Sequence, residues 1–335
     1  MAELTYREAL NQALQEEMKR DESVFLMGEE VAQYHGAYKV SKGLLEHFGN
    51  RRVLDTPISE LGFSGLGVGA ALAGLRPVIE FMTFNFSFLA LDQVINTAAK
   101  WRYMSGGQFK VPIVFRGPNG AALQLAAQHS HACETYYFHA PGIKVVAPAT
   151  PADAKGLLKA AIRDDDPVIV LEGELLYNIR GTVPEDGEHI VPLGKADVKR
   201  TGTDLSIVAH GRSVHLALQA AGELEQEGVD TEVVDLRSLR PLDAETVLAS
   251  VRKTNRAICV EEGWPFGGVG GQVVSIIQEE AFDWLDAPVF RVTQADVPMP
   301  YAKNLEQTAK PSLERVVRAC HRVLYGDGAW GDDTQ

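Results

Sequence analysis

The sequence predicts an α/β protein of two domains, an N-terminal doubly wound parallel sheet followed by a C-terminal α/β domain. Three observations carry this prediction. At 335 residues the chain is too long for one ordinary core. Short apolar runs alternate with helical patterns, and the alternation starts twice; that is the signature of a parallel sheet covered on both faces. Between the two series lies Tyr177 to Gly194, where Gly181, Pro184, Gly187, Pro192 and Gly194 break every period. The expected division is a first domain at 1–180, a linker at 181–198, a second domain at 199–325 and a flexible tail at 326–335.

In chain order, Thr5 and Glu8 form a capping box, which predicts an amphipathic helix to about Arg20. Val24 to Met27 reads as a buried strand. Val31 to Val40 mixes aromatic, polar and glycine residues and reads as a loop. Strand signals recur at Val53-Leu54, Val78-Ile79, Ile113 to Phe115, Lys144 to Val146 and Val168 to Leu171. Helical patterns at Leu89 to Tyr103 and Ala152 to Arg163 lie between them. After the linker, strands are expected at Leu205–Ala209, Thr231–Val234, Ala257–Val260 and Val289–Val292. Helices are expected at Ser213–Gln226, Asp243–Arg252, Gly271–Phe282 and Ser312–Leu324.

Composition narrows the function. A formal net charge of -13 argues against a nucleic-acid binder, which needs a basic footprint. No apolar run approaches the roughly 20 residues that span a bilayer; the longest, from Leu66, stops at Arg76 and Pro77. The N-terminus has neither the apolar core of a signal peptide nor a basic transit pattern. Cys133, Cys259 and Cys320 are far apart and show no metal spacing, so they read as reduced thiols of a cytoplasmic protein.

One acid stands out. In Val53-Leu54-Asp55-Thr56-Pro57-Ile58-Ser59-Glu60, Glu60 sits between a short strand and a helix rich in glycine and alanine. A carboxyl at the head of a helix that another element packs against suits an acid whose proton is used in chemistry. Read without context it is an ordinary helix N-terminal acid favoured by the dipole.

Six runs extend the signal. They are Asp55 to Glu60, Glu80-Phe81-Met82-Thr83-Phe84-Asn85-Phe86, Arg116-Gly117-Pro118-Asn119-Gly120, Ala126-Ala127-Gln128-His129-Ser130, Arg237 to Asp243, and Asp296 to Tyr301. In this order and spacing, over residues 3 to 325, the chain resembles the beta subunits of thiamine-diphosphate-dependent 2-oxo acid dehydrogenases. The Met82 to Phe86 run looks more like the pyruvate type than the branched-chain type, with a branched-chain or acetoin dehydrogenase beta subunit as the alternative.

That resemblance implies a pyrimidine-binding, transketolase-like domain followed by a transketolase-type C-terminal domain. It implies pairing with an alpha subunit in an α2β2 heterotetramer, and contact with the lipoyl and subunit-binding domains of a dihydrolipoamide acetyltransferase. Glu60 matches the family acid that activates thiamine diphosphate through its aminopyrimidine ring. Ile58, Met82 and Phe86 match the walls of the pyrimidine pocket. His129 matches a histidine that serves transfer to the lipoyl group. The resemblance also implies a potassium ion in this chain, held by carbonyls matching Ile113, Ala161 and Ile162 with Asp164 and Asp166. The residues themselves favour a cation there, because Asp164, Asp165 and Asp166 end a helix whose dipole prefers positive charge.

Other features are decoys or absences. Gly268-Val269-Gly270-Gly271 lacks dinucleotide spacing and reads as close helix packing. His129, His131 and Glu134 lack the spacing of a zinc motif. Gly326-Asp327-Gly328 imitates the start of a diphosphate–magnesium motif, but no asparagine follows at the required distance. Magnesium is therefore expected on the alpha subunit. Gly62, Gly65 and Gly69 recur at helical spacing and suit a subunit seam. Asp286 matches a family position that meets the acyltransferase.

Overall fold

Residues 1–121, 123–185 and 187–326 are described by a computed structural model. Contacts divide them into two units. The first holds 1–120, 136–194 and 238–241; the second holds 121–135, 195–237 and the chain from Leu242 onward. The boundary expected near 180 is thus crossed twice. The segment carrying His129 belongs with the second unit, and Ser238 to Pro241 returns to the first.

The first unit begins with β1 (Ala2–Thr5) and α1 (Tyr6–Arg20), and the Thr5–Glu8 capping box is formed as expected. There follow β2 (Val24–Gly28), α2 (Leu44–Phe48), β3 (Val53–Asp55), α3 (Glu60–Leu72), β4 (Arg76–Glu80), α4 (Ala99–Met104), β5 (Val114–Asn119), α5 (Glu134–Phe138), β6 (Lys144–Val146), α6 (Pro151–Arg163), β7 (Val168–Gly173) and β8 (Arg180–Val183). Seven of the described strands form a sheet in the order β12-β6-β7-β5-β4-β2-β3, where β12 is Ser238–Arg240. Its neighbours are parallel except β12, which runs antiparallel to β6.

Two strand pairs depart from the expectation. β1 and β8 make an antiparallel ribbon, so the expected linker is partly structured. Both strands are short and polar, and they pair across nearly the whole first unit, which leaves no local signal. The helical pattern at 89–103 is real but wound in three ways: tight turns at Phe84–Ala90, a wide π-type stretch at Asp92–Ala98, then α4.

The first unit's core places α3. Phe63 lies one turn after Glu60 and packs on Phe81, with centroids 5.7 Å apart. Phe81 also meets Phe84 and Phe115 at 5.4 and 6.2 Å. Gly67 lets α3 sit close to the sheet, because a Cβ there would lie 2.7 Å from Ile79 Cδ1. Beside this core, Arg116 on β5 donates to Glu80 on β4 and to Glu172 on β7, and all three are buried.

The second unit contains β9 (Asp197–Arg200), β10 (Leu205–Ala209), α7 (Ser213–Gln226), β11 (Thr231–Asp235), α8 (Ala244–Thr254), β13 (Ala257–Val260), α9 (Val269–Glu280), β14 (Phe290–Val292), α10 (Lys303–Ala309) and α11 (Leu313–Tyr325). Its sheet runs β14-β13-β10-β11-β9, parallel except for β9 at the edge. The expected strands and helices are all found, with α10 and the charged edge strand β9 in addition. The tail expected at 326–335 lies outside the described residues except for Gly326.

Candidate active site

In the first sheet, β2 connects onward to β3 on one side, while β4 connects onward to β5 on the other. Ligands of open parallel sheets bind at the carboxyl ends of such a strand pair. Here those ends carry Glu29, directly after β2, and Phe81-Met82, directly after β4. Glu60 heads α3, which follows the neighbouring strand β3.

Glu60 is 4% exposed and Glu29 is 5% exposed. Two carboxyls in one buried place cannot both ionise freely. Burial, and then the charge of Glu60, push the Glu29 carboxyl up to about 7. Glu29 Oε1 is buried without a hydrogen-bond partner. The pair therefore holds a proton near neutral pH and has an unused polar atom beside it. That suits a ligand with a hydrogen-bonding ring nitrogen. Glu29 was not among the sequence candidates, because a single acid after a strand has no distinguishing spacing.

The expected pocket walls are placed unevenly. Met82 and Phe86 are half-buried, whereas Ile58 is 83% exposed. The helix that follows Ile58 also turns Leu61 and Leu66 outward. Of the glycines expected at a seam, a Cβ at Gly69 would meet nothing, one at Gly65 would touch Gln93, and one at Gly62 would touch Ser59. Gly67, by contrast, faces the core.

The residues expected to hold potassium come from separate stretches, the start of β5 and the end of α6. The Val111 N–H donates to Asp165 O, and the Val168 N–H to Ile113 O, each at 3.0 Å. Ala161 O accepts the Asp164 N–H, and Ile162 O accepts Arg76 Nη1 at 2.9 Å. The acids are paired within the chain. Lys144 Nζ reaches both Asp164 oxygens at 2.7 Å and Asp166 at 3.3 Å. Arg102 holds Asp166, while Arg76 and Lys110 hold Asp165. The dipole conflict that suggested a cation is thus met by four side chains.

In the second unit, His129 ends a short turn at Ala127–His129 and is half-buried. Its loop is strained: Gln124 and Ala126 have φ of 62° and 64°. The loop is anchored at three points. The Gln124 N–H donates to Glu306 Oε2 at 3.2 Å, the His131 ring tilts on Trp264 at 5.6 Å, and Glu134 meets His210 Nε2 at 3.7 Å. Among the described residues no group of three or more His, Cys, Asp or Glu could hold a metal ion.

The remaining sequence features resolve simply. Gly268 and Gly270 are packing glycines, since a Cβ on either would lie within 2.7 Å of Glu261 Oε1. Asp286 is exposed and pairs with Arg256 at 2.9 Å. The three cysteines are buried and form no disulfide among the described residues. No described helix is long and apolar enough to cross a membrane.

Comparison with known proteins identifies the two domains. Residues 2–180 match the transketolase pyrimidine-binding domain, and residues 194–316 match the transketolase C-terminal domain. The pyruvate dehydrogenase E1 component subunit beta of Rickettsia felis is 57% identical over 323 residues, covering 96% of this chain and 99% of that one. The Rhizobium meliloti subunit of the same name is 56% identical over 325 residues, 97% of this chain and 71% of its own. The mitochondrial subunit of Bos taurus is 55% identical, covering 96% and 91%. A solved split-gene transketolase, an inactive beta4 tetramer, superposes with a TM-score of 0.78 at 25% identity, covering 96% and 98%. With nearly its full length matched at this identity, the chain belongs to the family of pyruvate dehydrogenase E1 component beta subunits.

Proposed function

We propose that this chain is the beta half of a pyruvate dehydrogenase. With an alpha subunit it would decarboxylate pyruvate and pass the acetyl group to the lipoyl group of a dihydrolipoamide acetyltransferase. The observation that carries the proposal is the buried Glu29–Glu60 pair at the carboxyl ends of the first sheet.

Thiamine diphosphate, when bound, supplies the electron sink that decarboxylation needs. This chain's part is to hold a proton. Glu60 would offer its carboxyl to the aminopyrimidine ring nitrogen, and the neighbouring Glu29 keeps a proton in reach near neutral pH. Met82 and Phe86 would supply apolar walls for a flat ring, and Ile58 would close against the ring from an exposed position. Magnesium and the diphosphate would be held by the alpha subunit in an α2β2 assembly. The outward Ile58, Leu61 and Leu66 support a partner on that face.

His129 would hold or move a proton during transfer to the lipoyl group. Asp286 would meet a basic subunit-binding domain of the acyltransferase through charge complementarity. A potassium ion would tie the end of α6 to the start of β5 through Ile113, Ala161 and Ile162, with Asp164 and Asp166 beside it. Buried reduced cysteines support a cytoplasmic setting.

The test is co-expression with an alpha subunit and comparison of pyruvate, 2-oxoisovalerate and acetoin as substrates. Pyruvate is expected to be turned over fastest. Glu60→Gln should lower decarboxylation by about 10²-fold or more while the assembly survives. Near-normal turnover by that variant would overturn the proposal. His129→Ala should spare decarboxylation but impair transfer to lipoyl domains.

A further inference from the structure

Asp55 ends β3 and stands five residues before Glu60. It is exposed, and an exposed carboxylate is normally left to water. This one is not. Its Oδ1 accepts the N–H of Ala32 at 2.6 Å and its Oδ2 accepts the N–H of Gln33 at 3.1 Å. Those amides lie three and four residues beyond Glu29.

The surrounding backbone makes this contact a clamp. Gly28 and Asp55 are register partners in adjacent parallel strands, and the Thr56 N–H donates to Gly28 O at 3.0 Å. Gly28 lies close against β4 and leaves no room for a side chain, because a Cβ there would lie 2.3 Å from Glu80 O. After Glu29 the chain turns through Glu30 in the left-handed region, φ 58°, and the Gly36 N–H closes that turn on Glu30 O at 2.7 Å. Glu29 is thus fixed on its N-terminal side by the sheet. On its C-terminal side the bonds from Asp55 hold the loop to the strand that leads to Glu60.

We propose that Asp55 is a positioning residue: its carboxylate, by holding the amides of Ala32 and Gln33, fixes the approach of Glu29 to Glu60. The proposal rests on the reading of Glu60 as the acid that serves the cofactor. Charge-assisted bonds to two consecutive amides are short and directional, so they hold a loop more tightly than neutral ones. The charged groups on the neighbouring elements are Glu60 at the head of α3, Asp55 on β3 and Glu80 on β4, with Glu30, His35 and Lys39 on the loop that follows Glu29. Of these, Glu60 acts on Glu29. If the clamp is released, Glu29 moves away from Glu60 and gives up its proton at lower pH.

The experiment uses the assembled complex with Asp55→Ala, Asp55→Glu and Asp55→Asn. The Glu29 carboxyl is titrated by difference infrared spectroscopy in the absence of cofactor, with Glu29→Gln as the reference. The pH profile of pyruvate decarboxylation is recorded alongside. Both the titration and the alkaline limb should move acidward by about one pH unit in the Ala and Glu variants, with KM for pyruvate unchanged. The Glu variant keeps the charge but not the reach, so a normal profile for it would mean charge alone matters and would overturn the proposal. Unmoved titrations with a uniform loss of rate would overturn it too. Asp55→Asn, which keeps one acceptor oxygen, carries the same test should the Ala variant fail to assemble. Glu60→Gln separates the two readings. Full turnover there removes the role of Glu60, whereas a dead Glu60 variant beside unmoved Asp55 variants removes only the clamp.

Discussion

The Glu29 carboxyl lies under the influence of Glu60 in a buried position, and burial together with that charge lifts it to about 7. A raised acid contributes stability that is complete below the ordinary carboxylate range. It is lost as pH rises through the folded value, because the unfolded chain releases its proton first. The thermal midpoint of the complex should therefore decline between about pH 5 and about pH 8. Glu29→Gln should flatten that decline, and an identical slope in the variant would show that Glu29 is not the group responsible.

His210 is buried among Glu134, Glu261 and Asp235. Burial works against its charged form, but the acids outweigh burial and its pKa rises above the usual imidazole value. Its contribution is therefore full below the ordinary imidazole pKa and lost as pH rises through the raised one. Removing one partner of a buried pair costs about 3–5 kcal/mol. His210→Gln should show a loss of that order in denaturant melts at about pH 6 and a smaller loss at about pH 9. A cost independent of pH would mean that His210 acts by packing alone.

Arg116→Met should be among the most damaging single changes in the first unit. It strands Glu80 and Glu172 without their common partner, at a cost of about 3–5 kcal/mol. Adding E80Q and E172Q should recover most of that loss. Chemical denaturation of the single and triple variants measures both, and a triple variant no better than the single would refute the account.

Exchange of potassium for choline tests the carbonyl site. A bound ion lost from α6 and β5 should lower the melting midpoint by about 2–4 °C, corresponding to about 1 kcal/mol. Since Lys144, Arg102, Arg76 and Lys110 already neutralise the acids, Asp166→Asn should change this dependence little. A strong effect of Asp166→Asn on it would mean that the carboxylate, not the carbonyls, binds the ion.

Much of this molecule was legible in its residues. The Thr5–Glu8 box fixed the start of α1, and apolar runs fixed β2, β4, β7, β10 and β13, because each is buried on both faces. Glu60 stood out through its strand–acid–glycine context, and it is buried at the head of α3. Glu29 did not, because only the register of Gly28 against Asp55 brings it to the site. The same is true of the β1–β8 ribbon, whose partners are separated by most of the first unit. The number of acids at 164–166 suggested an ion, while the cations that pair with them come from four other places in the chain. What the sequence hid was pairing at long range, for which local pattern carries no signal.

Glu80, Arg116 and Glu172 sit on three neighbouring strands and answer one another's charge in the dry interior. A lineage that replaced the arginine alone would leave two acids stranded, and one that replaced either acid would leave the guanidinium half-matched. Neither intermediate is neutral to the bearer. The three positions should therefore descend as a set, changing together or not at all. Such a trio marks common ancestry more durably than the surrounding aliphatic residues, which can be exchanged one at a time.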